Sequence, residues 1–230
     1  MKSFKELLDT EKKLLIVSLP DNSCEYALRA YDAGADAVKF HVNIKHRVTQ
    51  NTYNTWKDFK KTFEYIISQI DIPAGIVPGA EIMSSIEDFK DMERSGVTFI
   101  DCYYEYAPRW IKTLSVHKML AVNHTFKEEE LDYLVDYGAD SIELSFIDPS
   151  QYGKALTVKD CINYERLSKK CHSNCFIPSQ KFLTIDDLEV LNNQNIKGII
   201  LGAVVTGSDP KTFSDTIKNF RDGLDKLYGR

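Results

Sequence analysis

The chain has 230 residues, of which 43% are hydrophobic and 27% are charged. This share of apolar residues is enough for a sizeable core and excludes an intrinsically disordered chain. The formal net charge is −5 and no cationic block occurs, which argues against nucleic acid as a main partner. No apolar run approaches the roughly 18 residues of a membrane-spanning helix, so we expect no membrane partner.

Two features of the sequence indicate a reducing compartment. The opening stretch MKSFKELLDTEKKLL is amphipathic and of mixed charge, without the apolar core and cleavage site of a signal peptide. The five cysteines are odd in number and irregularly spaced, which is not the pattern of a disulfide framework. We therefore expect a cytoplasmic protein.

Strand-like and helix-like segments alternate along the whole chain. The apolar, strand-like runs lie at residues 14–19, 36–42, 72–77, 98–104, 118–123, 140–146, 174–179 and 196–205. Helical patterns separate them and begin near residues 22, 52, 84, 109, 125, 157, 184 and 209, several with a Ser/Thr cap and an acidic residue three positions on. Strict alternation predicts parallel strands joined by helical crossovers.

The number of units selects the architecture. Eight strand–helix units in 230 residues match a closed (β/α)8 barrel, which we predict as a single domain over residues 1–230. The competing open sheet is expected to carry a GxGxxG turn after an early strand, and none is present. The opening segment, residues 2–12, predicts a short extra helix that covers the bottom of the barrel.

A short phrase recurs where a helix ends and the next strand begins. It reads DAGADAVKFH, RSGVTFIDCY and DYGADSIELS, at residues 32–41, 94–103 and 136–145. The glycine is typical of a left-handed C-cap, which explains the recurrence. The glycine does not explain why the residue five positions later is charged each time, as Lys39, Asp101 and Glu143. Each charge interrupts an apolar run, where an isolated charge is costly.

The turn also sets the register of the even-numbered strands. Alternate residues of a strand share one face, and a barrel interior fills in layers taken from alternate strands. Lys39, Asp101 and Glu143 are therefore predicted to form one interior layer near the carboxyl ends of the strands, where barrel active sites lie. With His41 of the next layer they are the candidate catalytic residues. The alternative is a buried ion-pair cluster without a catalytic role.

Residues at or above these layers are the candidate substrate-binding residues. They are Asn43, Tyr103, Glu105, Asn123 and Ser145. No cofactor or metal site is predicted: CHSNC lacks a second Cys/His pair, and the acidic and histidine residues of the layers match no known metal signature by their spacing. Metal dependence therefore stays open. His46, in KHR, is interpreted as part of a solvated basic turn.

The most specific stretch is IPSQKFLTIDDLEVLNNQNIKGIILGAVVTGSDPKTF, residues 177–213. A strand ends in a small polar loop, a capped helix follows, and an apolar strand ends in glycine before a helix that begins with proline. This pattern resembles strands 7 and 8 of the ribulose-phosphate-binding barrel superfamily, which includes phosphoribosylanthranilate isomerase and indoleglycerol-phosphate synthase. The resemblance implies phosphate bound by backbone N–H groups after these strands.

Carried over to this sequence, the resemblance implies a phosphate site in two parts. They consist of Ser179, Gln180 and Lys181 after strand 7, and of Gly202, Ala203, Thr206 and Gly207 after strand 8. The superfamily's glycine after strand 7 is replaced here by Ser-Gln-Lys, so Lys181 would contact phosphate through its side chain. The alternative for residues 202–207 is an ordinary strand exit.

These observations predict a sugar-phosphate isomerase or epimerase that moves a proton next to a carbonyl. Glu143 or Asp101 would be the general base, and Lys39 and His41 would stabilise the enolate oxygen. One alternative is a lyase or aldolase in which Lys39 forms a Schiff base. Another is a non-catalytic barrel that senses a phosphorylated metabolite, because a barrel fold does not fix chemistry. A homodimer is compatible with the sequence.

Overall fold

Eight parallel strands close into a barrel in chain order within residues 3–229, the part of the chain that this computed structural model describes. They are β1 (Leu14–Ser18), β2 (Ala37–His41), β3 (Ala74–Val77), β4 (Phe99–Tyr103), β5 (His117–Ala121), β6 (Ser141–Glu143), β7 (Asn174–Pro178) and β8 (Ile196–Leu201). The predicted (β/α)8 barrel is thus confirmed.

Helices surround the barrel, and several are shorter than the sequence predicts. The α-helices are α1 (Phe4–Leu8), α2 (Cys24–Asp32), α3 (Trp56–Ile67), α4 (Ile86–Arg94), α5 (Leu131–Leu134), α6 (Val158–Lys170), α7 (Ala203–Thr206) and α8 (Pro210–Tyr228). The crossovers that follow β4 and β7 contain 3-10 helices, Arg109–Thr113 and Ile185–Leu191, where full helices were predicted. Further 3-10 turns are Glu128–Glu130 and Pro149–Gln151.

The recurring turn is built as the sequence predicts. Gly34, Gly96 and Gly138 have φ values of 93°, 95° and 107°, in the region that residues with a Cβ rarely adopt. Each glycine ends a helical segment and directs the chain into an even-numbered strand. The turn therefore fixes the register of β2, β4 and β6.

Aromatic side chains fill the lower half of the barrel. The Phe99 ring lies inside it, and Gly75 on the neighbouring strand makes room, because a Cβ at Gly75 would overlap that ring. Phe4 of α1 stacks on Phe99 with ring centroids 4.2 Å apart, so α1 closes the bottom of the barrel as predicted. The predicted helix began at residue 2, which lies outside the described residues; the observed helix begins after Ser3.

The prediction of a strand through residue 205 is wrong. β8 ends at Leu201, and Ala203–Thr206 form the short helix α7, which leads into α8. An apolar run alone does not distinguish a buried strand from a buried helical turn. None of the helices within residues 3–229 combines the length and the hydrophobicity needed to cross a membrane.

Candidate active site

A cavity of about 760 Å³ opens at the carboxyl ends of the strands. Lys39, Asp101 and Glu143 lie at its lower end, at the level of Ile200. The loops that follow the strands form the upper wall. This is the end of a (β/α)8 barrel at which active sites are built.

The three charged residues contact one another. The Lys39 ammonium donates to Asp101 Oδ2 and, at 2.9 Å, to Glu143 Oε2. The Ser145 hydroxyl donates to the other oxygen of Glu143. Lys39, Asp101 and Glu143 are only 6%, 2% and 7% exposed. The predicted layer is therefore observed, while its catalytic role stays a prediction.

The two carboxyl groups differ in their pKa. Burial and the adjacent Glu143 raise the pKa of Asp101 well above its usual range. Burial alone would also raise the pKa of Glu143, but the charge of Lys39 and hydrogen bonds from Asp101, Ser145 and Lys39 lower it to about 2. As the pH rises, Glu143 therefore loses its proton before Asp101 does. Such a split separates an acid from a base within one site.

Lys39 stays positively charged in this cluster. Burial alone would lower its pKa, but the opposite charges of Asp101 and Glu143 raise the pKa of the ammonium above its ordinary value. The ammonium and the Glu143 carboxylate then neutralise each other inside the barrel. This arrangement avoids the large cost of an unpaired buried charge.

His41 lies one layer above the cluster and is 3% exposed. Its Nε2 is 3.2 Å from Ser18 Oγ, and its ring stacks on Tyr53. Nδ1 is buried and has no hydrogen-bond partner within residues 3–229. Burial, then the charges of His46 and Lys39, lower the pKa of His41 well below its usual range. A neutral imidazole can donate at one nitrogen and accept at the other, and because Nδ1 is enclosed by the protein, Nε2 is the nitrogen beside the cavity wall.

All predicted substrate-binding residues line the cavity: Asn43, Tyr103, Glu105, Asn123 and Ser145. Some of their polar atoms already have partners in the protein. Asn43 donates to Ser84 Oγ at 2.9 Å, and Asn123 Oδ1 accepts from the N–H and hydroxyl of Thr125 at the same distance. These bonds orient the loops after β2 and β5. Glu105 is exposed in the upper wall.

The predicted phosphate-binding residues separate into two groups. Ser179, Gln180, Gly202 and Ala203 line the cavity. Lys181, Thr206 and Gly207 are not among the residues that line it. Lys181 is buried with its ammonium 3.4 Å from Asp160, at the start of α6, because that carboxylate draws it to the helix layer. Its side chain is not placed to contact a phosphate in the cavity.

Gln180 connects two loops. Its Oε1 accepts from the N–H of Ile147 at 3.1 Å, and its Nε2 donates to the Ser145 carbonyl at 2.9 Å and to the Tyr152 hydroxyl at 2.6 Å. The side-chain amide is therefore committed to holding the loops after β6 and β7 together. Nearby, the Gly202 N–H donates to Ser179 Oγ at 2.7 Å.

The cavity also contains residues that the sequence did not indicate. Ser18, Arg47 and Tyr152 line it, and so does His46. The interpretation of His46 as a solvated turn residue is wrong, because its ring lies 5.0 Å from the His41 ring. The available signal was the long segment between β2 and α3, since long loops in compact domains are often functional. Within the described residues, no group of three or more His, Cys, Asp or Glu side chains could hold a metal ion.

Similarity to known proteins is detectable in structure alone. No protein-family model and no curated protein matches this sequence. The tryptophan synthase alpha chain from Legionella pneumophila superposes with a TM-score of 0.74 at 13% identity, covering 100% of both chains. The phosphoribosyl anthranilate isomerase from Thermus thermophilus gives 0.67 at 15% identity, covering 93% of this chain and 99% of the other. KGPDC from Streptococcus mutans gives 0.67 at 13%, covering 96% and 100%.

These neighbours share the (β/α)8 barrel fold of this chain. At such low identity the similarity establishes the fold and not the reaction.

Proposed function

We propose that this protein is an enzyme that moves a proton next to the carbonyl of a small phosphorylated sugar or polyol, giving isomerisation or epimerisation. One observation carries the proposal: Asp101 and Glu143 both bond Lys39 at the lower end of an open cavity, and their pKa values are shifted in opposite directions. Proton transfer at carbon needs an acid and a base at one place.

In this mechanism Glu143 removes the proton and Asp101 donates one to the substrate oxygen. Lys39 stabilises the negative charge that develops on that oxygen. Glu143 is a weak base while Lys39 donates to it, because Lys39 and the hydrogen bonds are what lower its pKa. When the ammonium turns toward the developing enolate, Glu143 becomes a stronger base. His41 contacts the substrate through Nε2, which lies 3.2 Å from Ser18 Oγ in the cavity wall.

The phosphate is proposed to bind where β8 leads into α7. The first N–H groups of a helix have no partner within the helix, which suits an anion. Ala203 and Val204 begin α7 and line the cavity beside Ser179. A volume of about 760 Å³ is in the range of small-molecule sites. One structural neighbour, a phosphoribosyl anthranilate isomerase, supports the proposal of a phosphorylated sugar as substrate.

The lyase alternative has less support. A Schiff base requires an unprotonated amine. The carboxylates of Asp101 and Glu143 raise the pKa of Lys39 and so oppose loss of its proton. A non-catalytic sensor, in turn, has no need of a buried acid–base pair.

A thermal-shift screen with inorganic phosphate and a panel of sugar phosphates tests the proposal. A probe at about 100 times its dissociation constant should add about 2.7 kcal/mol to the stability of the folded protein. Gly202→Asp is the matched variant: its Cβ has 3.8 Å of clearance to the nearest side-chain atoms, and its carboxylate repels phosphate. We expect a shift that the variant loses, followed by turnover of the same sugar phosphate. Binding without turnover would favour a sensor, and no shift with any phosphate would remove the proposal.

A further inference from the structure

The segment after β2, residues 43–54, folds back on itself over the cavity. Backbone hydrogen bonds join Asn43 to Asn54 at 2.9 Å and Tyr53 to Ile44 at 2.8 Å. We call this segment the 43–54 loop. These bonds make it a hairpin-like element whose tip contains His46 and Arg47.

The 43–54 loop is anchored to the barrel on both sides. On the β1 side, Asn51 Nδ2 and the Tyr53 hydroxyl both donate to the Pro20 carbonyl, at 2.9 and 2.7 Å. On the β3 side, Asn43 donates to Ser84 Oγ. The base of the loop is thus fixed on both sides, while Arg47 at its tip is exposed.

Arg47 reaches across the mouth of the cavity. Its guanidinium carbon lies 5.8 Å from the centre of the Tyr152 ring. Tyr152 belongs to the loop after β6, and β6 is four strands away from β2 in a barrel of eight, on the opposite side. Burial raises the pKa values of Tyr103 and Tyr106, and the positive charge of Arg47 opposes both increases. Both tyrosines line the same cavity as Arg47.

The other positively charged side chains that could bind an anion, apart from Lys45, are paired with carboxylates or lie outside the cavity. Lys39 is paired with two carboxylates, and Lys181 contacts Asp160 away from the cavity. Arg47 has no carboxylate within ion-pair distance in the described part of the chain, and its contact is with an aromatic ring. Lys45, on the same loop, also lines the wall and is exposed.

We propose that Arg47 is a substrate-binding residue that pairs with an oxyanion of the substrate and makes the site selective for anionic sugars. The inference rests on the proposed function and names the side chain that recognises the charge. A guanidinium presents a planar pair of donors that matches phosphate or carboxylate. In the free protein the contact with Tyr152 holds the guanidinium over the cavity. An oxyanion offers charge-assisted hydrogen bonds in its place.

Calorimetric titration of three variants tests this inference. The proteins are wild type, Arg47→Gln, Arg47→Lys and the matched control Lys45→Gln, and the probes are inorganic phosphate, ribulose 5-phosphate, ribulose and gluconate. We expect Arg47→Gln to weaken ribulose 5-phosphate binding about 10- to 100-fold, with a partial loss in Arg47→Lys. Lys45→Gln should change affinity by no more than about threefold, because Lys45 is not held over the cavity by the contact with Tyr152 that holds Arg47, and its exposed charge is screened. The affinity for ribulose should not change.

The outcomes separate the two proposals. If wild type binds ribulose 5-phosphate and Gly202→Asp does not, but Arg47→Gln binds as wild type does, the role of Arg47 is overturned and the proposed function stands. An equal loss of affinity in Lys45→Gln also overturns the role of Arg47, because the loss then reflects the net positive charge of the loop and not a specific contact of Arg47. If gluconate is the probe that depends on Arg47, the recognised oxyanion is a carboxylate. If no anionic probe binds wild type, both proposals fail together.

Discussion

Replacing Lys39 with Met removes the positive charge that the buried carboxyl groups share. Met has a similar length, so the change is mainly one of charge. In the wild type the pKa of Glu143 falls from 4.5 to about 2. Each pKa unit is worth about 1.4 kcal/mol, so the ionised form is stabilised by about 3 kcal/mol in the folded protein. This agrees with the roughly 3–5 kcal/mol lost when one partner of a buried ion pair is removed.

The loss should depend on pH in a defined direction. In the wild type this stabilisation is complete above the unfolded pKa of 4.5 and is lost as the pH falls toward 2. Without Lys39, burial is no longer offset by the charge of the ammonium, so we expect the pKa of Glu143 to rise above its unfolded value. The folded variant then takes up a proton as the pH falls, which relieves the buried charge. We therefore expect the largest destabilisation near pH 8 and a smaller one near pH 5.

Urea unfolding, monitored by circular dichroism at about pH 8 and pH 5, gives the free energy of unfolding of wild type and Lys39→Met by linear extrapolation. Lys60→Met is the control, because Lys60 forms a surface ion pair with Asp91 at 2.8 Å. Hydrogen bonds from Lys60 and Trp56 lower the pKa of Asp91 to about 2, so its charge does not change over this range. The control should lose little stability, equally at both pH values. A loss below about 1 kcal/mol for Lys39→Met, or one independent of pH, would refute the reasoning.

Three further predictions follow from the same structure. Lys181→Met should leave sugar-phosphate affinity unchanged in calorimetry while lowering the melting temperature, because Lys181 contacts Asp160 outside the cavity; a loss of affinity would show that Lys181 reaches the phosphate. Gly75→Ala should cost about 1–3 kcal/mol or more in urea unfolding, because its Cβ meets the Phe99 ring, and Phe99→Leu in the same chain should recover part of this; no recovery would contradict the packing. Borohydride with substrate should leave no adduct mass on Lys39, whose pKa is raised; an adduct there would establish the lyase alternative.

The fold and the charged layer could be predicted because both depend on short-range patterns. The glycine turns fix where β2, β4 and β6 begin, and the two-residue period of a strand then places Lys39, Asp101 and Glu143 on one face. A closed barrel arranges the inward-facing residues of alternate strands in regular layers, so residues on distant strands can be assigned to one layer from the sequence. The contact of Lys39 with both carboxylates is therefore implied by residue counting.

The upper wall of the site could not be predicted in the same way. Arg47 and Tyr152 lie in loops after β2 and β6, far apart in sequence, and no periodicity tells where a loop tip will rest. Lys181 is predicted to belong to the phosphate site because it follows β7 in the sequence. Its side chain lies outside the cavity, because its ammonium pairs with Asp160 at the start of α6. Loop conformation and charge pairing between elements decide both cases.

The most direct test of the proposed chemistry is solvent deuterium exchange. Wild type and Glu143→Gln are incubated in D₂O with each sugar phosphate that binds, and carbon-bound deuterium is followed by NMR and mass spectrometry. Glutamine keeps the shape of Glu143 but removes the base. The Arg47→Gln variant is the control that shows how weaker substrate binding alone affects exchange. The account predicts deuterium next to the carbonyl with wild type and none with Glu143→Gln under saturating substrate. Binding without any exchange in wild type, or undiminished exchange in Glu143→Gln, would contradict it.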